Sequence, residues 1–271
     1  MVPPLTVRTN TLKLRKAELK KRLENEGVSA EDLVYAPDGL HLKLNKRLVE
    51  LEFFREGLFQ VQGESSMLVA PLLNPQPGES VLDLCSAPAG KAVHLGILMQ
   101  NRGNIVAADL YPQRLKLVQD AARRQGIDII NIEKLDGRSV DPDKEGAFQR
   151  VLADVPCSGL GVIRRKGDLK WRRRPEDISS LAELQLQLLK GAFKYLCRGG
   201  VLLYSACTTE PEETTGVIEK FLAAEPSAKP VMLSPLLPEK LRGEEKREGM
   251  LYLWPHKHNL DGFFLARIRK K

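Results

Sequence analysis

Ser80-Val-Leu-Asp-Leu-Cys-Ser-Ala-Pro-Ala-Gly-Lys91 decides the fold. Ser80–Leu84 is a short apolar run of the kind a buried strand shows, and small residues follow it. The segment Lys91–Met99 then carries helical periodicity. Working outward, the same alternation recurs. Further strands are predicted at Asn104–Ala108, Ile129–Lys134, Val151–Ala153, Gly200–Ser205, Met250–Leu253 and Gly262–Ile268. Helices are predicted at Ser65–Leu73, Pro112–Gln125, Ile178–Leu196 and Glu212–Ala224. Strands alternating with helices mark a parallel sheet with crossover connections. The expectation is therefore an α/β, Rossmann-like domain of seven strands. Its ligands would bind beyond the carboxyl ends of those strands.

What stands at those strand ends is chemically specific. Cys85-Ser86-Ala87-Pro88-Ala89-Gly90-Lys91 has small side chains that let a ligand approach the backbone. It is not a phosphate-binding P-loop, because Ala92 follows Lys91 and the upstream glycine is missing. It is not GxGxxG either, which disfavours a dinucleotide. Asp109 ends the second strand, where an acid accepts hydrogen bonds from ribose hydroxyls. Asp136-Gly137 ends the third, within reach of an adenine amino group. Each acid alone is an ordinary turn former or cap; three sites on successive strands point to a nucleoside-containing cofactor.

Two cysteines follow later strands: Cys157 in Asp154-Val-Pro-Cys-Ser-Gly159, and Cys207 in Tyr204-Ser-Ala-Cys-Thr208. Alone, either reads as a small buried hydrophobe. A pair delivered to one sheet edge predicts covalent chemistry, since a thiolate adds readily to an electron-poor ring. Cys197, closing a predicted helix, reads as packing. The four cysteines show no CxxC spacing, so neither a metal site nor a disulfide framework is expected.

Net charge is +7, and the run 163–174 alone carries seven basic residues against one acid, or +6. Charge runs are usually solvated faces. Here Trp171 is interleaved with the cations beside a candidate site, a combination suited to phosphate contacts and base stacking. Nucleic acid is thereby favoured over a membrane surface or an acidic protein. Residues 1–60 differ in texture. Strands are predicted at Thr6–Thr9, Val34–Ala36 and Leu40–Leu44, and helices at Lys16–Glu26 and Leu48–Phe54, making a small α+β unit. No apolar stretch reaches transmembrane length, and Met1–Arg8 has no signal-peptide architecture. A cytoplasmic, reduced setting and a monomer are the expectations.

Taken together, Asp83–Lys91, Asp109, Asp136–Arg138, Asp154–Gly159, Gly161–Trp171, Cys207 with the acidic Glu210–Thr214, and Asp261–Phe264 closely resemble the RsmB/NOP2/Sun family of RNA cytosine-C5 methyltransferases. The run Ile163–Trp171 is most similar to the bacterial 16S rRNA enzymes. The resemblance implies a class I methyltransferase domain over 61–271, with a ferredoxin-like RNA-binding extension over 1–60 that includes Val7-Arg-Thr-Asn-Thr11.

The resemblance also implies S-adenosylmethionine as cofactor, held by Cys85–Lys91, Asp109, Arg114, Asp136, Gly137 and Asp154. RNA would be bound by Arg164, Arg165, Lys166, Lys170, Trp171 and Arg172. Cys207 would attack C6 of a flipped-out cytosine, Asp154 would bind the pyrimidine edge, and Cys157 would assist release. The residue types alone also permit the reverse order, as in DNA cytosine methyltransferases. Ala206 stands where the family usually has Thr. Bacterial members carry a NusB-like domain ahead of this region, so a truncated form or a shorter homologue is expected. Competing readings are a tRNA enzyme of the same family, a non-catalytic assembly factor, and a small-molecule methyltransferase, the last disfavoured by the basic loop. Lys91 reads as a loop cap or a phosphate contact, His94 as structural, and Asp261 as a turn former.

Overall fold

A four-stranded antiparallel sheet begins the chain, in the order β2-β3-β1-β4. Its strands are β1 (Leu5–Thr9), β2 (Ser29–Asp32), β3 (Gly39–Lys43) and β4 (Phe59–Val61), with α1 (Lys16–Asn25) and the short α2 (Glu52–Arg55) completing the unit. The computed structural model describes residues 3–44 and 48–271; Met1, Val2 and residues 45–47, which fall within the expected 1–60 unit, lie outside the described residues. Leu19 and Leu23 on one face of α1 meet Val7, Leu40, Leu42 and Phe59 of the sheet, a small core of its own.

The second sheet contains β5 (Ser80–Asp83), β6 (Asn104–Asp109), β7 (Ile130–Lys134), β8 (Phe148–Asp154), β9 (Leu196–Ala206), β10 (Ala228–Pro230), β11 (Met250–Leu253) and β12 (Phe263–Lys270). Strands β7-β6-β5-β8-β9 run parallel, and β12 lies antiparallel against β9. The outermost lane is split. β11 pairs with Phe263–Ala266 of β12, and β10 pairs with Ile268–Lys270, so two short strands lie end to end along one edge.

Alternation along the strands divides the core between the two faces. Leu202 and Tyr204 of β9 and Val151 and Ala153 of β8 face α8 (Pro175–Tyr195) and α9 (Thr215–Ala224). Val201, Leu203 and Leu152 face α4 (Val69–Leu73) and α5 (Gly90–Leu98). Helix α6 (Pro112–Gln125) packs beside α5 through Val118 and Ala122. Each such Leu or Phe contributes about 1.5–3 kcal/mol by leaving water. The short helices α3 (Glu64–Met67), α7 (Leu169–Arg172) and α10 (Pro255–His258) sit in connections.

The expectations hold in outline, with corrections. The sheet has eight strands rather than seven, because β10 fills the rest of the outer lane. Val34–Ala36 is not a strand: Val34 is exposed, and pairing falls instead on Ser29–Asp32, whose mostly exposed polar side chains gave no apolar signal. Ser65–Leu73 is two helices broken at Leu68, and Leu48–Phe54 is a 3-10 turn followed by α2. Cys197 lies inside β9, not at a helix end, and is only partly buried.

Gln62, Ser65 and α6 join the two sheets. Arg8 on β1 is buried, and its Nη1 donates to the Gly90 carbonyl at 2.8 Å and to the Gln62 side chain. Asn10 Nδ2 donates to the carbonyls of Gly57 and Gln125 at 3.0 and 2.9 Å. Arg124 of α6 lies 4.2 Å over the Phe54 ring and donates to the Phe54 carbonyl at 2.8 Å.

Candidate active site

The carboxyl ends of β5, β6, β7, β8 and β9 open into one cleft of about 700 Å³. Cys85, Ala87, Asp109, Arg114, Asp136, Gly137, Asp154, Cys157 and Cys207 all line it, so the structure brings the expected cofactor and thiol residues together. Ser86, Pro88, Gly90 and Lys91 line a smaller adjoining cavity of about 220 Å³ that shares Asp154. Ala89, fully buried, turns the chain into α5 with φ +81°.

At the β6 end, Asp109 is 3% exposed and its Oδ1 accepts from the Tyr111 amide at 3.1 Å. Its Oδ2 lies 3.1 Å from Arg114 Nη1 but outside hydrogen-bond geometry, and so keeps a free acceptor. Arg114 also donates to the Ala87 carbonyl at 2.9 Å, tying the Cys85–Lys91 loop to the acid. Asp136 is paired with Arg138 at 2.6 Å, which holds its carboxyl below the usual range. Leu110 and Tyr111, both exposed at the rim, were not anticipated from sequence, since two apolar residues in a loop carry no periodic signal. Burial pushes the Cys85 thiol well up, leaving it neutral.

Register delivers the chemistry at the next strands. Asp154 and Ser205 are paired positions on β8 and β9, and Ser205 Oγ donates to Asp154 Oδ1 at 2.6 Å. Lys91 Nζ lies 2.7 Å from Asp154 Oδ2. Burial works against the Lys91 ammonium, yet Asp154 outweighs it and holds Lys91 above its ordinary range. Lys91 is thus neither a simple loop cap nor a free phosphate contact.

The chain then turns at both strand ends and brings Cys157 Sγ within 3.2 Å of Cys207 Sγ. The hydrogen bond with Cys157 lowers Cys207 from its usual range, helped by Lys91 and Lys166 and opposed by burial and Asp154. The same contact, with burial and the charge of Glu213, pushes Cys157 well up. The contact thus sets the two thiols apart, Cys207 lowered and Cys157 raised.

The basic run divides. Arg164 Nε and Arg165 Nε grip Asp261 at 2.5 and 2.7 Å, so these two cations brace the loop and Asp261 does more than shape a turn. Lys166 lines the cleft; Lys170 sits 4.8 Å over the Trp171 ring, and Trp171 is 81% exposed. Arg172 pairs with Asp168 at 3.4 Å. Arg173, absent from the sequence-based set, donates to the Ser158 carbonyl at 2.8 Å. Behind the loop, Gly161 and Gly262 touch: a Cβ on Gly161 would lie 2.0 Å from the Gly262 carbonyl oxygen and 2.9 Å from that of Cys207. His94 is buried in α5, as a structural role requires.

A mostly parallel sheet with an acid at the end of β6 and a cleft across its carboxyl edge defines a Rossmann-like fold with a site suited to a nucleoside-containing cofactor. The chain belongs to the 16S rRNA methyltransferase RsmB/F family, whose model matches residues 70–269; that of the RsmF/B-like ferredoxin-like domain matches residues 1–48. Members use S-adenosylmethionine. The chain is 41% identical over 274 residues to a probable ribosomal RNA small subunit methyltransferase B of Bacillus subtilis, covering 100% of this chain and 61% of that protein. It thus spans about three-fifths of the curated relatives it matches. A methyltransferase homologue from Pyrococcus horikoshii superposes with a TM-score of 0.80 at 31% identity, over 99% of this chain and 87% of that one. NSun6 of Pyrococcus horikoshii, solved with the S-adenosylmethionine analogue SFG, shares the fold at a TM-score of 0.86 and 24% identity, over 99% and 92% of the two chains. Among the described residues, no helix is long and apolar enough to cross a membrane, and no cluster of His, Cys, Asp or Glu is placed to hold a metal ion.

Proposed function

We propose that this chain methylates C5 of a cytosine in RNA, with 16S rRNA as the substrate, through a covalent bond from Cys207 to C6. The observation that carries this reading is the thiol pair: two sulfurs 3.2 Å apart, one lowered and one raised, at the open end of adjacent strands. On this reading residues 1–60 are an RNA-binding extension and 61–271 the catalytic domain.

The cleft fits S-adenosylmethionine. Asp109 keeps a free acceptor for a ribose hydroxyl, and Leu110, Tyr111 and Leu135 offer apolar surface for a purine. The loop Cys85–Lys91, with Arg114, Asp136 and Gly137, would hold the remainder. When bound, the cofactor supplies an electrophilic methyl group.

The residues of the chain do the rest. The Cys207 thiolate adds to C6, and the ring gains enamine character at C5, which is otherwise a poor nucleophile. Asp154 and Lys91 present an acceptor and a donor to the pyrimidine edge and stabilise charge that builds there. After C5 is methylated, its proton passes to solvent by way of Cys157, which stands beside that sulfur, and the C5–H electron pair restores the C5–C6 double bond as Cys207 leaves as a thiolate. The base must be extruded or single-stranded for a thiolate to reach its face. Lys166, Lys170, Trp171 and Arg172 form the face that meets phosphate and base.

Two single variants incubated with 16S rRNA and cofactor test this. Cys157→Ala should accumulate a covalent protein–RNA complex on a denaturing gel, and Cys207→Ala should form none. The reverse pattern would assign nucleophilic attack to Cys157. Transfer to bulk tRNA but not rRNA would move the substrate, and absence of cofactor binding by calorimetry would favour an assembly factor without activity.

A further inference from the structure

Beneath the two thiols lies Glu213, fully buried in the turn that leads into α9. Among the described residues no cation pairs with it. A carboxylate removed from water is strongly destabilising unless donors surround it. The donors it meets lie on the turn that carries Cys157 and on the helix behind that turn. Glu213 Oε1 accepts from the Ser158 amide at 2.8 Å and from Gln185 Nε2 at 2.9 Å.

Gln185 Nε2 also reaches the Pro156 carbonyl at 2.9 Å. The Tyr204 hydroxyl sits between Gln185 Oε1 at 3.1 Å and the Glu213 carbonyl at 2.7 Å. Glu213, from the segment after Cys207, therefore grips one flank of Cys157 directly and the other through Gln185. We propose that Glu213 is a positioning residue. It fixes the Pro156–Ser158 turn so that the Cys157 thiol stays in hydrogen-bond contact with Cys207.

The catalytic meaning of this grip rests on the function proposed above; the grip itself does not, and its test needs neither RNA nor cofactor. Iodoacetamide alkylation of Cys207 is followed against pH by peptide mass spectrometry in the wild type, Glu213→Ala, Glu213→Gln and Gln185→Met. Glu213→Ala releases the turn, so Cys207 loses its hydrogen-bond partner. Its alkylation near neutral pH should slow about tenfold, the effect of one pKa unit, with the midpoint moving up. Glu213→Gln keeps the accepting oxygen for Ser158 and Gln185 and should return the profile close to wild type. A purely structural role would lower the unfolding midpoint without moving the alkylation midpoint.

A folded Glu213→Ala protein with the wild-type Cys207 profile overturns the proposal. So does a Glu213→Gln profile shifted as far as that of Glu213→Ala. If Glu213→Ala does not fold, Gln185→Met decides: an upward shift supports the grip, and a wild-type profile overturns it. Methyl transfer by the wild type is scored separately. Its absence would remove the proposed reaction and leave the thiol result standing.

Discussion

Asp83 ends β5 with its side chain fully buried behind the Cys85–Lys91 loop. Burial, reinforced by the charge of Asp154, pushes its carboxyl up to about 7. An acid with a raised folded pKa binds its proton in the native state over a pH range where the unfolded chain has lost it. Native stability therefore falls as pH rises from about 4 to 7 and is level beyond. The difference amounts to about 4 kcal/mol at full effect, from roughly three pKa units. Asp83→Asn should match the wild type in urea near pH 4 and exceed it near pH 8. Equal midpoints at both pH values would show that Asp83 ionises freely. The sequence displayed Asp83 inside its most telling stretch without marking it, because only the depth of the strand end separates this acid from an ordinary turn former. Asp109 was legible only in company with the other strand-end sites, since alone it reads as a turn former or cap, and Asp154 only through the motif that carries the family resemblance. Glu213 was hidden in an acidic run whose other members face solvent.

Among the elements, the loop and short helix between β8 and α8 combine two tasks that composition alone merges. Arg164 and Arg165 are tied to Asp261, whereas Lys166 lines the cleft, Lys170 and Trp171 stack at the surface, and Arg172 pairs only with its exposed neighbour Asp168. Replacing Lys166, Lys170 and Arg172 with Ala should flatten the salt dependence of RNA binding by about 2 in log–log slope, at roughly 0.7 per phosphate contact on a single strand. An unchanged slope would place the RNA elsewhere. Trp171→Ala should weaken RNA binding by about 1–3 kcal/mol, the range for one stacked base, with cofactor affinity untouched in calorimetry. The central strands β5, β6, β8 and β9 were legible because they are largely buried and read as apolar runs; β7, at the edge with no buried residue, showed itself only by its place in the alternation. β2 was not legible, since it is held by backbone pairing and shows polar side chains to water. The split outer lane was half visible: β11 is apolar, and Ala228–Pro230 has no pattern.

At the scale of the whole molecule, the small sheet is seated on α6 through Gly57, Asn10 and Arg124. Gly57 adopts φ +69°, and a Cβ there would fall 2.0 Å from the Arg124 carbonyl oxygen. Gly57→Ala combines left-handed strain of about 1–2 kcal/mol with overpacking of about 1–3 kcal/mol. It should lower the thermal midpoint and speed proteolysis between the two sheets; a wild-type midpoint would mean that the seat yields. No sequence pattern announces such a contact, because it joins backbones that are distant along the chain.

The touching pair Gly161 and Gly262 carries a different lesson, about how this protein answers to mutation at large. In a saturation library selected for methylation, both positions should be as empty of substitutions as Cys207, the proposed nucleophile. Neither glycine has a side chain to contribute to the reaction. Ranking residues by intolerance alone would place them among the reacting groups. A parallel count of how much folded protein each variant yields would separate the two kinds of silence: cysteine variants persist as inert protein, and glycine variants vanish from the soluble pool.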